Sequence, residues 1–308
     1  MTEYDALQKK LQRGQIKACI IQRRDEVTFE YYRNKKAENA LHHIHSCSKS
    51  ITSMLIGICM DEGLIPSIHT PIGEYFGKYL TTEKEKEKAD ITIYNLLTMT
   101  SGIDWREFGE WNYWSPMEFS NDIIKSALER DMAEPPGLTM NYNSGSSNLL
   151  SAIVQIASGM KTADFAKKYL FEPMGIEDFH WYEKQGINLG ANGLKLRPHD
   201  MVKLGTLYLH EGQWNGKPVV PPEWVRESIK PRFMTYEAIG AYGYQWWSSE
   251  LSAAGSAVPF YFAMGLFGQF IIVVPSSEIV AVFLSENYGE TMKPMDYFRE
   301  YFSEFAQL

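Results

Sequence analysis

"HSCSKSITSMLIGICMDEGLI", residues 45–65, places Ser46 and Lys49 three positions apart at the mouth of an apolar run. Ile51, Met54, Leu55, Ile58 and Cys59 recur at helical spacing and Gly63 follows as a stop, so a helix is predicted over residues 46–62. Residues three apart share one helix face, with Cβ atoms about 5–6 Å from each other. Lys49 can therefore point back at the Ser46 hydroxyl. The positive end of the helix dipole favours negative charge developing at Ser46, and an amine desolvated against the apolar stripe becomes a usable base. The same pattern also suits a plain capping serine. On the order of one such spacing arises by chance in a chain of 308 residues, so the rest of the chain has to decide.

Before this helix, "IKACIIQR" and "VTFEYYR" flank "RDE" as a β-hairpin. Between about residues 70 and 195 strand signals are scarce. "ITIYNLLTMTSG", "SPMEFSNDIIKSALE", "SGSSNLLSAIVQIASG" and "KTADFAKKYLFEPMG" each read as one helix, as do "RPHDMVKLGTLYLHEG" and "PPEWVRESIK" further on. The run Gly240–Trp247, then "PFYFAMG", "QFIIVVP" and "EIVAVFLSE", read as successive antiparallel strands, and "KPMDYFREYFSEFAQ" closes as an amphipathic helix. The β material thus lies at both chain ends. This order predicts an α+β fold: an antiparallel sheet built from residues 1–70 and 195–308, flanked by helices, with 71–194 as an inserted, mainly helical subdomain. The junction is the natural place for a ligand cleft.

Two further stretches bear on Ser46. "TMNYNSGSSNLLSAIV" (139–154) places Tyr142 and Ser144 on a turn before a helix, where a phenol beside a lysine can carry a proton. Taken alone, Tyr142 reads first as a tyrosine packing over a helix start. "YFAMGLFGQFIIVVP" (261–275) has Gly265 and Gly268 beside an apolar strand, either a bulge or a place of close backbone approach. A backbone N–H there, with that of Ser46, could form an oxyanion hole.

In these three places the chain resembles the serine β-lactamase and penicillin-binding-protein-like superfamily, in its class C β-lactamase, esterase and 6-aminohexanoate-dimer hydrolase branch. "SCSK" resembles the S-x-x-K nucleophile motif, "YNS" the Y-x-N/S motif, and "GLFGQ" the glycine-rich strand that replaces K-T-G in non-lactamase members. "LLTMTSGIDW" (96–105), "FEPMGI" (171–176) and "NGLKLRPHDMVKLG" (192–205) are similar to family landmarks in the same order, so the likeness spans about residues 15–290. It implies a β-lactamase/transpeptidase-like fold and an ester or amide hydrolase acting through an acyl-enzyme. Ser46 would be the nucleophile, with Lys49 and Tyr142 as the proton-transfer groups, either of which could be the acylation base. Ser144 would be a substrate contact, and Gly268 with Gln269 the second oxyanion donor. Leu266 stands where β-lactamases carry the lysine that holds a carboxylate, and Ser144 where they carry asparagine. Both departures favour substrates that need no carboxylate clamp. Trp105, Trp111, Tyr113 and Trp114 in "DWREFGEWNYW", with Tyr244 and Trp246, are candidates for the acyl pocket or for the core; Trp105 and Tyr244 are the ones carried forward. The alternative within the same fold is a penicillin-binding or acyl-sensing protein without turnover.

Composition narrows the field further. The net charge of −8 is spread out, with no Lys/Arg stripe for nucleic acid, and "TTEKEKEKAD" (81–90) reads as a solvated loop or helix start. There is no G-x-S-x-G elbow, P-loop or G-x-G-x-x-G. "HHIH" (42–45) fits a strand entering the nucleophile helix better than a metal set. Cys19, Cys47 and Cys59 read as reduced, buried thiols. The expectation is a cytoplasmic monomer or homodimer acting on a small-molecule ester or amide. No cofactor, metal, leader or membrane span is expected.

Overall fold

The computed structural model describes residues 4–108, 112–236, 239–253 and 256–305. Eight strands form one antiparallel sheet in the order Phe233–Met234, Ala241–Tyr242, Trp247–Ala253, Ser256–Gly265, Gln269–Val274, Ile279–Ser285, Ile16–Arg23 and Glu26–Tyr32. The sheet is therefore built from both chain ends, as the sequence order predicts. Its central strands read as unbroken apolar runs rather than alternations. The reason is that both faces are covered. Successive side chains still go to opposite faces: Ile271, Val273, Val280 and Val282 join one buried cluster, while Phe270, Ile272, Val274, Ala281 and Phe283 join the other.

On the first face lie the Cys47–Asp61, Ser144–Ser158 and Pro198–Leu209 helices with the rest of the central helical block. On the second lie the two terminal helices. Asp5–Arg13 buries Leu7 and Leu11, one helical turn apart, and Lys293–Phe305 buries Met295, Phe298, Tyr301 and Phe302. A nine-residue helix is marginal by itself in water. Burying each such leucine is worth about 1.5–3 kcal/mol, so docking on the sheet is what holds Asp5–Arg13 in place.

Four elements depart from the sequence reading. "ITIYNLLTMTSG", read as a helix ending at Gly102, is helical only over Ile93–Leu97 and stops before Met99, which sits at φ +60°. "SPMEFSNDIIKSALE" is two helices, Trp114–Phe119 and Ile123–Leu128, because Asp122 turns its carboxylate onto the Lys125 N–H at 2.9 Å and starts the second afresh. "KTADFAKKYLFEPMG" begins as α-helix at Thr162–Ala166, widens to a π turn at Lys167–Phe171 and tightens to a 3₁₀ turn at Glu172–Met174. The run Gly240–Trp247 is not one strand. Residues 243–246 loop out between Ala241–Tyr242 and Trp247–Ala253, with the Gln245 N–H turned to the Leu97 carbonyl at 3.1 Å.

The "HHIH" stretch forms the His42–His43 strand, which pairs with Leu194–Leu196 and delivers the chain to Ser46. Cys19, Cys47 and Cys59 are free and buried. No helix among the described residues is long and apolar enough to cross a membrane.

Candidate active site

Ser46 occupies the N-cap position of the Cys47–Asp61 helix, yet its hydroxyl makes no capping bond. The helix is buried from Cys47 to Cys59, so its polar side chains must be satisfied by neighbouring loops. Ser48 Oγ donates to the His45 carbonyl (2.7 Å) and accepts from Leu194 N–H (3.1 Å). Thr52 donates to Gly190 O (3.0 Å), and Ser50 to Gln245 O (2.7 Å). These bonds fix the turn at His45, a non-glycine residue at φ +48°, and with it the position of Ser46.

Lys49 is 1% exposed. Its Nζ donates to Ser46 Oγ (3.2 Å), Ser144 Oγ (3.0 Å) and the Ala191 carbonyl (2.9 Å), which uses all three ammonium donors. Burial pulls the Lys49 ammonium down to about 8, against the opposing pull of Glu107. Tyr142 lies with its ring centroid 4.9 Å from Lys49 Nζ and lines the same cleft as Ser46. Burial pushes its phenol well up, so it stays protonated at neutral pH. The ring stacks with Phe108 at 5.9 Å and with Trp247 at 5.8 Å. Asn143 caps the following helix by accepting from Ser146 N–H (3.0 Å), which sets both Tyr142 and Ser144.

Ser46 and Tyr142 open onto a cleft of about 290 Å³. Of the residues singled out from sequence, Ser46, Lys49, Tyr142 and Ser144 come together here, Lys49 and Ser144 as buried partners beneath the cleft. Gly268 and Gln269 do not line it. The hairpin reverses between Leu266 and Gly268, so Gln269 already belongs to the next strand. Its side chain donates to Leu266 O (3.0 Å) and Ser285 O (2.8 Å) and accepts from Ser285 N–H (3.1 Å). Gly268 sits at φ +89°, and a Cβ there would fall 2.4 Å from Ser285 Oγ. Gly265 and Leu266 face the cleft instead. Neither the Ser46 N–H nor the Leu266 N–H has a hydrogen-bond partner among the described residues.

Trp105 and Tyr244 are likewise off the cleft wall. Trp105 is 2% exposed and donates its Nε1–H to Glu107 at 2.5 Å. Tyr244 packs beneath the Arg232 guanidinium, 4.3 Å from its ring, and against Trp224. Trp111 lies outside the described residues. Of the remaining aromatics named from sequence, Trp114 does line the cleft, while Trp246 is buried against Tyr208.

Sequence reasoning missed Glu107. Its carboxylate accepts from Ser144 N–H (3.1 Å), from the Ser144 hydroxyl and from Trp105, and it lines the cleft. Only its place in the "DWREF" loop, next to residues already under suspicion, could have pointed to it. His45, on the cleft wall, is held down at about 3 by burial, with the adjacent His43 and Lys17 adding to the effect.

The Beta-lactamase family profile matches residues 4–300. The chain belongs to that family. The 6-aminohexanoate-dimer hydrolase of Paenarthrobacter ureafaciens is 24% identical over 311 aligned positions, covering 92% of this chain and 76% of the relative. The lovastatin esterase of Penicillium rubens is 24% identical, covering 55% of this chain and 47% of its own. Among solved structures, a Bacillus anthracis protein provisionally named a 6-aminohexanoate-dimer hydrolase superposes with a TM-score of 0.81 at 20% identity, covering 97% of this chain and 81% of that one. The fold is thus that of the β-lactamase-like hydrolases, and curated relatives carry hydrolase and esterase names.

Proposed function

We propose that this member of the Beta-lactamase family is a serine hydrolase that cleaves an ester or amide bond through an acyl-enzyme on Ser46. One observation carries the reading: the direction in which protons can move around Lys49. The Ser144 hydroxyl donates to Glu107, a carboxylate that only accepts, and the Ala191 carbonyl has no proton to give. When Lys49 is neutral, Ser46 is therefore the one neighbour among its three partners able to donate to it. Lys49 then serves as the base for Ser46, and the protonated Tyr142 phenol is placed to pass a proton to the departing group. The N–H groups of Ser46 and Leu266 would hold the oxyanion. In this reading Ser144 positions Lys49 rather than contacting substrate.

The test is intact-mass analysis and peptide mapping after brief exposure to p-nitrophenyl butyrate. The expected result is an adduct on Ser46 that decays as nitrophenol is released, with Ser46→Ala folded but giving neither adduct nor burst. A full burst from Ser46→Ala refutes the assignment. An adduct that forms once and persists identifies the trapping protein of the same fold.

Glu107 supplies a second test. Glu107→Gln keeps an acceptor for the Ser144 hydroxyl but removes the negative charge that opposes the lowering of Lys49. Lys49 should titrate lower still, so the alkaline-rising limb of kcat/KM moves to lower pH. Activity at pH 6, relative to the plateau, is expected to rise several-fold. A fall in kcat with an unmoved limb would assign Glu107 to positioning Ser144 alone.

A further inference from the structure

The cleft over Ser46 carries information about what enters it. Most of its wall is hydrocarbon or ring, including Phe108, Trp114, Trp247, Met264, Leu266 and Met292. The apolar lining continues over the rim, where Phe108 is 64% exposed, Tyr236 50% and Leu266 43%. Large apolar side chains left exposed around a concavity mark a surface that a ligand covers.

The charges around it point the same way. His45 is neutral at physiological pH, Glu107 places a carboxyl group on the wall, and the Asn192 amide donates to Glu118 at 3.1 Å. The nearest cation, Lys49, lies beneath the wall with its three donors already taken by Ser46, Ser144 and Ala191. Among the described residues, no lysine or arginine lines the cleft. A carboxylate brought in on the acyl group would lose its hydration, meet Glu107 and find no free positive partner.

Building on the serine-hydrolase reading, we propose that the cleft selects a neutral, apolar acyl group, aliphatic or aryl, and rejects acyl groups that carry a carboxylate. The hydrocarbon wall supplies affinity in proportion to the area it removes from water, while the charge pattern supplies the discrimination.

The experiment compares kcat/KM for p-nitrophenyl acetate, butyrate, hexanoate and octanoate with that for the mono-p-nitrophenyl ester of glutaric acid. The expected series rises by up to about fourfold per methylene until the cleft is filled. The glutarate ester is expected to fall at least about tenfold below the hexanoate. Leu266→Lys, a change at the exposed rim, should raise the glutarate-to-hexanoate ratio. A flat or falling chain-length series, or glutarate cleaved as fast as hexanoate, overturns the proposal. Binding to Ser46→Ala, followed by the fluorescence of Trp114 and Trp247, separates this from the hydrolase reading. Octanamide binding well above the monoamide of suberic acid, which carries a carboxylate at the far end of the same chain, with no ester ever acylating Ser46 in the unmodified protein, would sustain the cleft's preference and sink the hydrolase reading. The suberic monoamide binding as tightly as octanamide, or no octanamide binding at all, would sink the preference.

Discussion

Replacing Lys49 by methionine is expected to leave a folded protein whose ester turnover falls by about 10²–10⁴, the usual worth of a positioned general base. Methionine is a good helix former of similar length, so the Cys47–Asp61 helix should persist and circular dichroism should be unchanged. What goes is the group that takes the Ser46 proton. The unmodified protein should show the same dependence in its pH profile. With Lys49 lowered by burial to about 8, about a tenth of it is neutral at pH 7. The free-enzyme parameter kcat/KM should therefore rise about tenfold per pH unit below 8 and flatten above it. The sign for stability follows from the same shift. Folded Lys49 releases its proton near 8 and unfolded lysine near 10.5, so between these values the unfolded chain holds more protons and the fold gains stability as pH rises. Below 8 both states are protonated and the cost of burying the ammonium is felt in full. Lys49→Met should lose this pH-dependent gain. A rate that is level from pH 6 to 9, or a Lys49→Met variant with undiminished turnover, would remove Lys49 from the base role.

How much of this could be read from sequence depends on how local each constraint is. Ser46 and Lys49 were legible because a helix of known pitch fixes their spacing. Tyr142 was legible only through the likeness of "YNS" to a family motif; the Asn143 cap that fixes its turn emerges from the structure. The sheet built from both chain ends followed from β-branched and aromatic runs whose covered faces erase the polar alternation. Glu107 was not legible, since its partners Ser144 and Trp105 are joined to it by tertiary placement of a loop with no periodicity. Aromatic content put Trp105 and Tyr244 forward for the acyl pocket, but it does not say which aromatics of a rich set face a cleft and which are buried in the core. Tyr244 went to Arg232 and Trp224, and the cleft took Phe108, Trp247 and Tyr236. The "GLFGQ" stretch was placed correctly as a strand end. Its turn was not resolved, because the residue at which a five-residue hairpin reverses depends on what its glycines touch.

Those contacts make a pair of glycine substitutions the sharpest test of the oxyanion geometry. Gly265 has no left-handed φ, so alanine there is conformationally acceptable. Its Cβ, however, would lie 2.3 Å from the Ile44 carbonyl and 3.1 Å from His45 Cβ. Backbone cannot rotate out of the way as a side chain can. The end of the Ser256–Gly265 strand must then draw back from the turn that carries Ser46, and Leu266 N–H moves away from Ser46 N–H. Losing one oxyanion donor costs about 10²–10³ in kcat, and that fall is expected for Gly265→Ala, with KM little changed. The overpacking itself should cost about 1–3 kcal/mol of stability. Gly268→Ala meets a different obstacle: φ of +89°, with Ser285 Oγ 2.4 Å and Pro294 Cγ 2.7 Å from the new Cβ. Since Gly268 does not line the cleft, this change should lower the melting temperature while the folded protein keeps most of its turnover. Measured side by side, equal losses of kcat in the two variants would return the oxyanion donor to the Gly268–Gln269 side of the turn. A large loss confined to Gly265→Ala would support Leu266 as the donor, since only that substitution forces apart the two backbone segments bearing the free N–H groups.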